Sequence, residues 1–228
     1  MDFLISSFAA ALGMIGDFSP DVADAVRTSL YVSAVATVFA SLIGIPLGLI
    51  VGLADFPLKR FVVTVLNTLM AVPTVVVGLL VYGFLSRQGP LGVLGLLFTP
   101  TAIVIGGVLL ASPISANYAL ASVRGADPRI LPSALTLGAG RFRVVGALIG
   151  EIRFGILAGV IAGFGRVVSE VGVAMMLGGN IRGYTRTMTT AIALETSKGE
   201  FAFGMALGIV LMSVALFVNL FLAFLQRK

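Results

Sequence analysis

Cysteine, histidine and tryptophan are absent from the 228-residue sequence, and only 11% of its residues are charged. Without cysteine the chain has no disulfide or thiol chemistry, and without histidine it also lacks the commonest metal ligand. The phosphate-binding pattern G-x-x-x-x-G-K-[ST] does not occur, so no P-loop is expected. With no carboxylate cluster either, the sequence argues against an enzyme and predicts no catalytic residue, metal or cofactor in this chain.

Apolar side chains dominate the composition. They make up 58% of the sequence, and the mean hydropathy is +1.11. Soluble domains typically carry about 25% charged residues, whereas here the charges are clustered and leave long uncharged stretches. This pattern predicts an all-α integral membrane protein.

Five stretches are long and apolar enough for the ~20 residues that a spanning helix needs. They cover about residues 28–54, 61–86, 101–123, 144–177 and 201–225. Residues 1–26 are predicted to form an N-terminal amphipathic or interfacial segment, with a short extra span over 1–16 as the alternative. Asp2 stands where a signal peptide would carry positive charge, so cleavage is not expected. The transmembrane domain is then 27–228.

Lysine and arginine are unevenly divided between the two sets of loops that five spans create. Nine of them fall on the side that holds the 55–60 loop, the 124–143 loop with Arg153 just beyond it, and the C-terminus. Only five fall on the opposite side. Because short loops rich in Lys and Arg face the cytoplasm, we expect a cytoplasmic C-terminus and an N-terminus outside.

The 124–143 loop is predicted to carry a short helix outside the bilayer. Asp127 and Pro128 are typical of a helix cap and a first helical position. Leu135, Gly138 and Phe142 would then share one face. Two interpretations are open: an ordinary interfacial helix, or a docking knob for a cytoplasmic partner, where Gly138 lets another surface approach the backbone closely.

Four segments carry a resemblance to a known family: GIPLG at 44–48, the stretch 72–92, and two longer ones. SALTLGAGRFRVV resembles the cytoplasmic E-A-A-x-x-x-G-A loop of ABC importer permeases. Ala134, Gly138 and Ala139 match that motif, while Pro132 and Ser133 replace its acidic residue and first alanine. Further along, SEVGVAMMLGGNIRGYTRTMTTAIALE is similar to the E-x-G-x-x-x-M-x-x-G-N-I-x-G-x-T-x-T stretch of molybdate- and tungstate-type permeases, and its TRTMTTAI run resembles the tungstate branch most.

The resemblance implies a type I ABC importer permease fold with a coupling helix, in the prokaryotic cytoplasmic membrane. It further implies a homodimer, a separate ATP-binding cassette subunit that holds ATP and Mg²⁺, and an external oxyanion-binding protein, with no nucleic-acid partner. The implied function is that of the permease subunit of an ATP-driven oxyanion importer, for tungstate first and for molybdate or sulfate as alternatives. The residues implied for coupling to the ATPase are Ala134, Leu135, Gly138, Ala139 and Phe142.

The sequence disfavours two functions of other classes. A secondary anion transporter complete in one chain would show inverted repeats and coupling carboxylates near the bilayer midplane, but the five spans show no convincing repeat. A membrane enzyme would need catalytic groups that this sequence lacks. Both rivals are therefore disfavoured.

Arg166 and Glu170 are candidates for the pathway or its gate. They lie four residues apart, so on one helix they share a face, and charges within a bilayer usually face a bundle interior or water. One interpretation is an ion pair, within the helix or between subunits, that positions the gate. The other is that the helix ends early and both side chains lie near the outer interface. A proton-carrier role for Glu170 is disfavoured because it has a cationic partner.

The stretch 178–190 combines a helix-ending signal with a polar patch. Gly178, Gly179 and Asn180 are typical of a helix C-terminus and turn. The patch comprises Asn180, Thr185, Thr187, Thr189 and Thr190 beside Arg182 and Arg186. Neutral donors with limited positive charge suit a tetrahedral dianion, so the patch either contacts the passing anion or is an ordinary turn. The two arginines are assigned to anion contact or to docking of the external binding protein.

Prolines and glycines punctuate the first two predicted spans. Pro46 and Pro73 each remove a backbone hydrogen bond and are expected to kink a helix, as packing features or as hinges. Gly44, Gly48 and Gly52 recur every four residues, the pattern that lets helices approach closely. They are expected to serve packing within the subunit or the dimer.

Overall fold

The computed structural model describes residues 2–17, 19–136, 138 and 140–226, and the regular elements there are all helical. The helices are α1 (Asp2–Gly16), α2 (Pro20–Leu53), α3 (Lys59–Ala71), α4 (Thr74–Leu85), α5 (Pro100–Gly125), α6 (Ile130–Thr136), α7 (Arg141–Val168), α8 (Gly172–Gly178), α9 (Met188–Lys198) and α10 (Phe201–Gln226). One 3₁₀ turn, Gly92–Leu94, lies between α4 and α5. The all-α prediction is confirmed.

Four of these helices, α2, α5, α7 and α10, are long and apolar enough to cross a membrane. The α3–α4 pair adds a fifth span if both helices are counted together, although the two are bent by 96°. This number matches the five predicted stretches. The helix α1 packs against α10, and its interfacial or spanning placement stays a prediction.

The second predicted span is not one straight helix. It breaks at Val72 and Pro73, where Val72 is extended (φ −62°, ψ 130°). Proline has no N–H and disfavours a helical residue before it, so α3 cannot continue through this pair. By contrast, Pro46 lies inside α2, which runs on to Leu53. Pro73 therefore creates the break, whereas Pro46 does not end its helix.

The core of the subunit is the contact between α2 and α5. A Cβ added at Gly44 would lie 2.4 Å from the carbonyl oxygen of Ser112, and one at Gly48 would lie 2.2 Å from that of Ala116. Both distances are too short for any side chain, so the two backbones meet directly. The small-residue pattern therefore packs two helices of one subunit.

The fourth predicted span, 144–177, is wrong at its C-terminal end. The long helix α7 stops at Val168, and the separate short helix α8 begins at Gly172. Gly155 of α7 faces Ser122, close to the C-terminal end of α5. The N-terminal part of α7 therefore extends past α5 by roughly 15 Å at 1.5 Å per residue. This projecting part contacts α6.

The predicted short helix is present but differs from its expected form. It begins at Ile130 rather than Pro128 and ends at Thr136. Gly138 follows with a φ of +74°, and Phe142 belongs to α7. The prediction of Leu135, Gly138 and Phe142 on one helical face is thus wrong, because a left-handed residue separates two helices. Ala139 lies outside the described residues, as do the side chains of Ala134, Leu135 and Phe142.

Candidate functional site

Glu170 lies at the junction of three helices, and its side chain is only 6% exposed. One carboxylate oxygen accepts a hydrogen bond from Nη1 of Arg166 at 3.1 Å. The other accepts from the backbone N–H of Val173 at 3.1 Å, in the first turn of α8. The ion pair is therefore formed, and α7 ends before Glu170. A gate-positioning role and a place near the outer interface both stay predictions.

The third helix reaches the same residue through its backbone. The hydroxyl of Thr189, in the first turn of α9, donates to the carbonyl oxygen of Glu170 at 2.7 Å. A hydroxyl, a peptide N–H and a guanidinium are thus all satisfied by Glu170. We call Arg166, Glu170, Val173 and Thr189 the α7–α8–α9 junction.

The threonine patch lies inside the protein and caps α9. Thr187 and Thr190 form reciprocal hydrogen bonds between side chain and backbone, a capping box that satisfies the first N–H groups of the helix. The Thr190 hydroxyl also donates to Oδ1 of Asn180 at 2.9 Å, and the Thr185 hydroxyl donates to the carbonyl of Gly178. No threonine of the patch is more than 6% exposed. In this conformation the hydroxyls stabilise the turn, and their contact with an anion stays a prediction.

A small cavity lies beside the junction, with polar side chains on part of its wall. It has a volume of about 10 Å³ and is lined by Ser29, Ser33, Glu170, Thr187 and Thr189, among others. A buried water needs about 10–15 Å³ and two to four polar partners. The cavity therefore suits one water molecule and is too small for a tetrahedral oxyanion.

The turn that follows α8 matches the sequence pattern. Gly179 caps α8 with a φ of +68°, and Asn180 follows at +52°. Asparagine is one of the few residues besides glycine that tolerate this left-handed conformation. Gly178 is also tightly enclosed, since a Cβ there would lie 2.6 Å from Cδ1 of Ile103. The predicted C-cap signal is confirmed, although it ends α8 rather than the long span.

The two arginines of the turn are held by acidic partners within the chain. Arg182 forms a two-pronged ion pair with Asp21 at the start of α2, with its Nε 2.7 Å from one carboxylate oxygen. Arg186 lies 3.4 Å from Glu195, which also binds Lys198 at 3.0 Å. Hydrogen bonding to Asp21 raises the pKa of Arg182 above its already high value. These pairs attach the loop to α2 and α9, and either proposed external role would require contact beside or in place of them.

The α6 segment begins at a local ion pair. Asp127 accepts a hydrogen bond from the backbone N–H of Arg129 at 2.9 Å, and its carboxylate also faces the Arg129 guanidinium at 3.0 Å. The side-chain hydrogen bond from Arg129 holds the pKa of Asp127 below its usual value. Asp127 therefore starts this turn as predicted, two residues further from the helix than expected. Val144 and Leu148 on the projecting part of α7 are buried.

Two features of the site were not predicted from the sequence. The hydroxyl of Ser29 accepts the backbone N–H of Met188 at 2.6 Å, which joins α2 to the start of α9. A cleft between α3 and α5 carries Asn67, Asn117 and Arg124. An asparagine in the apolar helix α3 was the signal that could have revealed this cleft. In the described part of the chain, no group of three or more acidic side chains is arranged to hold a metal ion.

Comparison with known proteins places these elements in a family. The family described as "Binding-protein-dependent transport system inner membrane component" matches residues 44–228. The tungstate uptake system permease protein of Peptoclostridium acidaminophilum is 40% identical over 230 residues, covering 100% of both chains. That of Campylobacter jejuni is 40% identical over 100% of this chain and 95% of the relative. The molybdenum transport system permease protein of Escherichia coli is 28% identical, covering 90% and 94% of the two chains.

The fold is also found in solved structures. A chain of an inward-facing methionine ABC transporter superposes with a TM-score of 0.76 at 15% identity, covering 91% of this chain and 95% of that one. A chain of a bacterial ABC transporter that imports alginate gives a TM-score of 0.76 at 20% identity, covering 96% and 83%. At these identities the likeness is evidence for the fold alone, which is that of type I ABC importer permeases.

Proposed function

Because the chain belongs to the family of binding-protein-dependent transport system inner membrane components, we propose that it is the permease subunit of an ATP-driven tungstate importer. The assignment of tungstate as the cargo rests on the 40% identity to a tungstate permease across the whole of both chains. The α8–α9 region adds physical support, since its glycines, asparagine and threonines each have a defined role in the turn.

A second copy of the chain completes the path in this proposal. The helices α3 and α4 pack against α5, and α4 also packs against α8. Both nevertheless expose apolar side chains along most of their length, among them Phe61, Leu69, Val75, Leu79 and Leu80. A homodimer would cover part of this surface and enclose a path between the two subunits. Lipid would cover the remainder.

The energy comes from a partner in this proposal, since the chain has no P-loop. ATP and Mg²⁺ bind to a separate ATP-binding cassette subunit, and this chain holds no cofactor. An external binding protein supplies the oxyanion at the opposite face. The excess of Lys and Arg supports a cytoplasmic α6 and C-terminus, with the N-terminus outside.

The element proposed to couple this chain to the ATPase is α6 with the projecting start of α7. It lies beyond the end of α5, so it can enter a groove of the cassette subunit. The residues assigned to this contact are Ala134, Leu135, Gly138, Ala139 and Phe142. Gly138 allows the turn between the two helices, because its φ of +74° is a conformation that glycine adopts at little cost.

Movement of α6 and the start of α7 with the cassette subunit is proposed to reach the outer end of the path through the α7–α8–α9 junction. Displacing α7 and Glu170 relative to α8 and α9 would break the bonds to Val173 and Thr189 together, because both of them end on Glu170. Arg166 and Glu170 are therefore gate-positioning residues. The outward turn with Arg182 and Arg186 is assigned to the binding protein.

Molybdate is the second candidate cargo. The relative from Escherichia coli, described as a molybdenum transport permease, supports it at 28% identity. Both anions are tetrahedral dianions, so the same donors would serve either. The higher identity to tungstate permeases places tungstate first.

The test is the ATPase activity of the reconstituted complex, with binding protein loaded with tungstate, molybdate or sulfate. Stimulation by tungstate at the lowest anion concentration is expected. Stimulation by molybdate or sulfate alone would keep the importer and change its cargo. A verified complex that no anion stimulates would contradict the assignment.

A further inference from the structure

An exposed asparagine on α3 has no side-chain partner among the residues that the structure describes. The side chain of Asn67 makes no hydrogen bond to any residue that the structure describes. The hydroxyls of Thr64 and Thr68 on the same helix instead donate to carbonyls one turn back, both at 2.9 Å. A free amide that faces hydrocarbon is costly, because lipid offers it no hydrogen bond. Asn67 is therefore expected to face water or a polar ligand.

Asn67 lines a cleft of about 490 Å³ between α3 and α5. The other polar groups that line it are Asn117, Tyr118 and Arg124, and Met70 lies among them. No Asp or Glu lines it among the residues that the structure describes. Arg124 lies in the last turn of α5, so the cleft opens toward the α6 end of the subunit.

Each polar side chain that lines the cleft can donate a hydrogen bond. The amide nitrogen of Asn117 donates to the carbonyl of Pro113 at 3.1 Å and to the sulfur of Met70 at 3.1 Å. A thioether is a weak acceptor, so a charged oxygen would replace it readily. Tyr118 packs directly against Gly159 of α7, where an added Cβ would lie 2.5 Å from Cβ of Tyr118.

We propose that this cleft is a transient site for a tetrahedral oxyanion on the cytoplasmic half of the path. The inference rests on the proposed function and adds residues to it. Two amides, one phenol and one guanidinium complement a dianion, and the absence of a lining carboxylate removes repulsion. A single cation with neutral donors binds weakly enough for release, as a conducting path requires.

The cysteine-free sequence allows a direct test. Met70→Cys places one thiol in the cleft, where the native side chain is 41% exposed. Met212→Cys is the matched control, because Met212 is 72% exposed in the middle of the apolar helix α10. The assembled complex in inverted vesicles is treated with a charged, membrane-impermeant methanethiosulfonate. We expect labelling at Met70→Cys and none at Met212→Cys, and an unreactive Met70→Cys would overturn the proposal.

Anion protection is the second part of the test. Sodium tungstate at about 10 mM should slow labelling of Met70→Cys at least about twofold if the site has a Kd of that order, because half of the sites are then filled. Sodium chloride at the same ionic strength should not slow it. Equal rates in the two salts would refute an anion site.

A substitution of Asn67 then identifies the donor. Protection should be lost in Met70→Cys combined with Asn67→Leu and kept with Asn219→Leu. Asn219 is the matched control, since it is exposed on α10 and already donates to the carbonyl of Ala215 at 2.8 Å. Protection that survives Asn67→Leu would overturn the assignment.

Tungstate uptake by the unmodified complex in proteoliposomes separates the two proposals. If the unmodified complex imports tungstate and Met70→Cys is not protected, the cleft fails and the importer stands. If the unmodified complex imports no tungstate, the proposed function fails.

Discussion

Substitution of Glu170 tests whether one buried carboxylate holds α7 and α8 together. In Glu170→Gln the side chain keeps an oxygen that can accept the hydrogen bond from the N–H of Val173, which is 3.1 Å long with Glu170. The same change removes the charge that faces Arg166. Glu170→Ala removes both interactions and leaves a buried N–H without a partner. The two variants therefore separate the ion pair from the helix cap.

The expected magnitudes follow from burial. The Arg166 side chain is 35% exposed, so water replaces part of the lost interaction in Glu170→Gln, and the cost is about 1–2 kcal/mol. Glu170→Ala adds an unsatisfied buried group and a void, for a total of about 3–5 kcal/mol. At 2–4 °C per kcal/mol for a chain of this size, the melting temperature should fall by roughly 2–8 °C in Glu170→Gln and by roughly 6–20 °C in Glu170→Ala.

Thermal unfolding of the purified subunit in detergent measures both variants. Glu151→Gln is the control, because Glu151 is exposed on α7, and it should change stability by less than about 0.5 kcal/mol. The double variant Arg166→Gln with Glu170→Gln should cost less than the sum of the two single changes, since the partners interact directly. Equal melting temperatures for Glu170→Gln and Glu170→Ala would show that the cap on α8 contributes nothing and would refute this reasoning.

Three further predictions concern the core, the coupling turn and the external loop. Gly48→Ala should destabilise the subunit by about 1–3 kcal/mol in thermal unfolding, because its Cβ would lie 2.2 Å from a carbonyl oxygen of α5. The control Gly150→Ala should not destabilise it, because a Cβ at Gly150 would have nothing within 4 Å. Equal losses of stability in the two variants would contradict the packing. Gly138→Ala should reduce co-purification of the cassette subunit, since a residue with a side chain pays about 1–2 kcal/mol to adopt the left-handed conformation of Gly138. The control Gly140→Ala should not reduce it, because Gly140 has a φ of −66°. Full recovery of the cassette subunit with Gly138→Ala would count against docking at this turn. Arg182→Gln should change the stability of the isolated subunit by less than about 1 kcal/mol, because its ion pair is exposed; a loss as large as that of Glu170→Ala would show a structural role instead.

The α3–α4 region shows how much of the fold local sequence could predict. The apolar run gave the existence of a second membrane segment, and Pro73 marked where it would bend. The 96° angle could not be read from these letters. It depends on how α3 packs against α5 and α4 against α8, and those contacts are distant in the sequence.

The candidate site divides in the same way. Arg166 and Glu170 were predicted to pair from their spacing of four, which is a local property. The use of the threonine hydroxyls was not predictable, because a threonine that binds an anion and one that caps a helix have the same side chain. Only the position of α9 beside α7 and α8 determined that Thr189 bonds to the Glu170 carbonyl.

The sequence by itself determined the membrane setting, the number of apolar segments and the family. Each of these follows from composition, hydropathy or short motifs, and none needs a distance between remote residues. The tertiary structure alone decided that Gly44 and Gly48 face α5, that α7 ends at Val168, and that Asn67 and Asn117 line one cleft. These features depend on contacts between residues far apart in the chain, where the energy of packing exceeds any local preference.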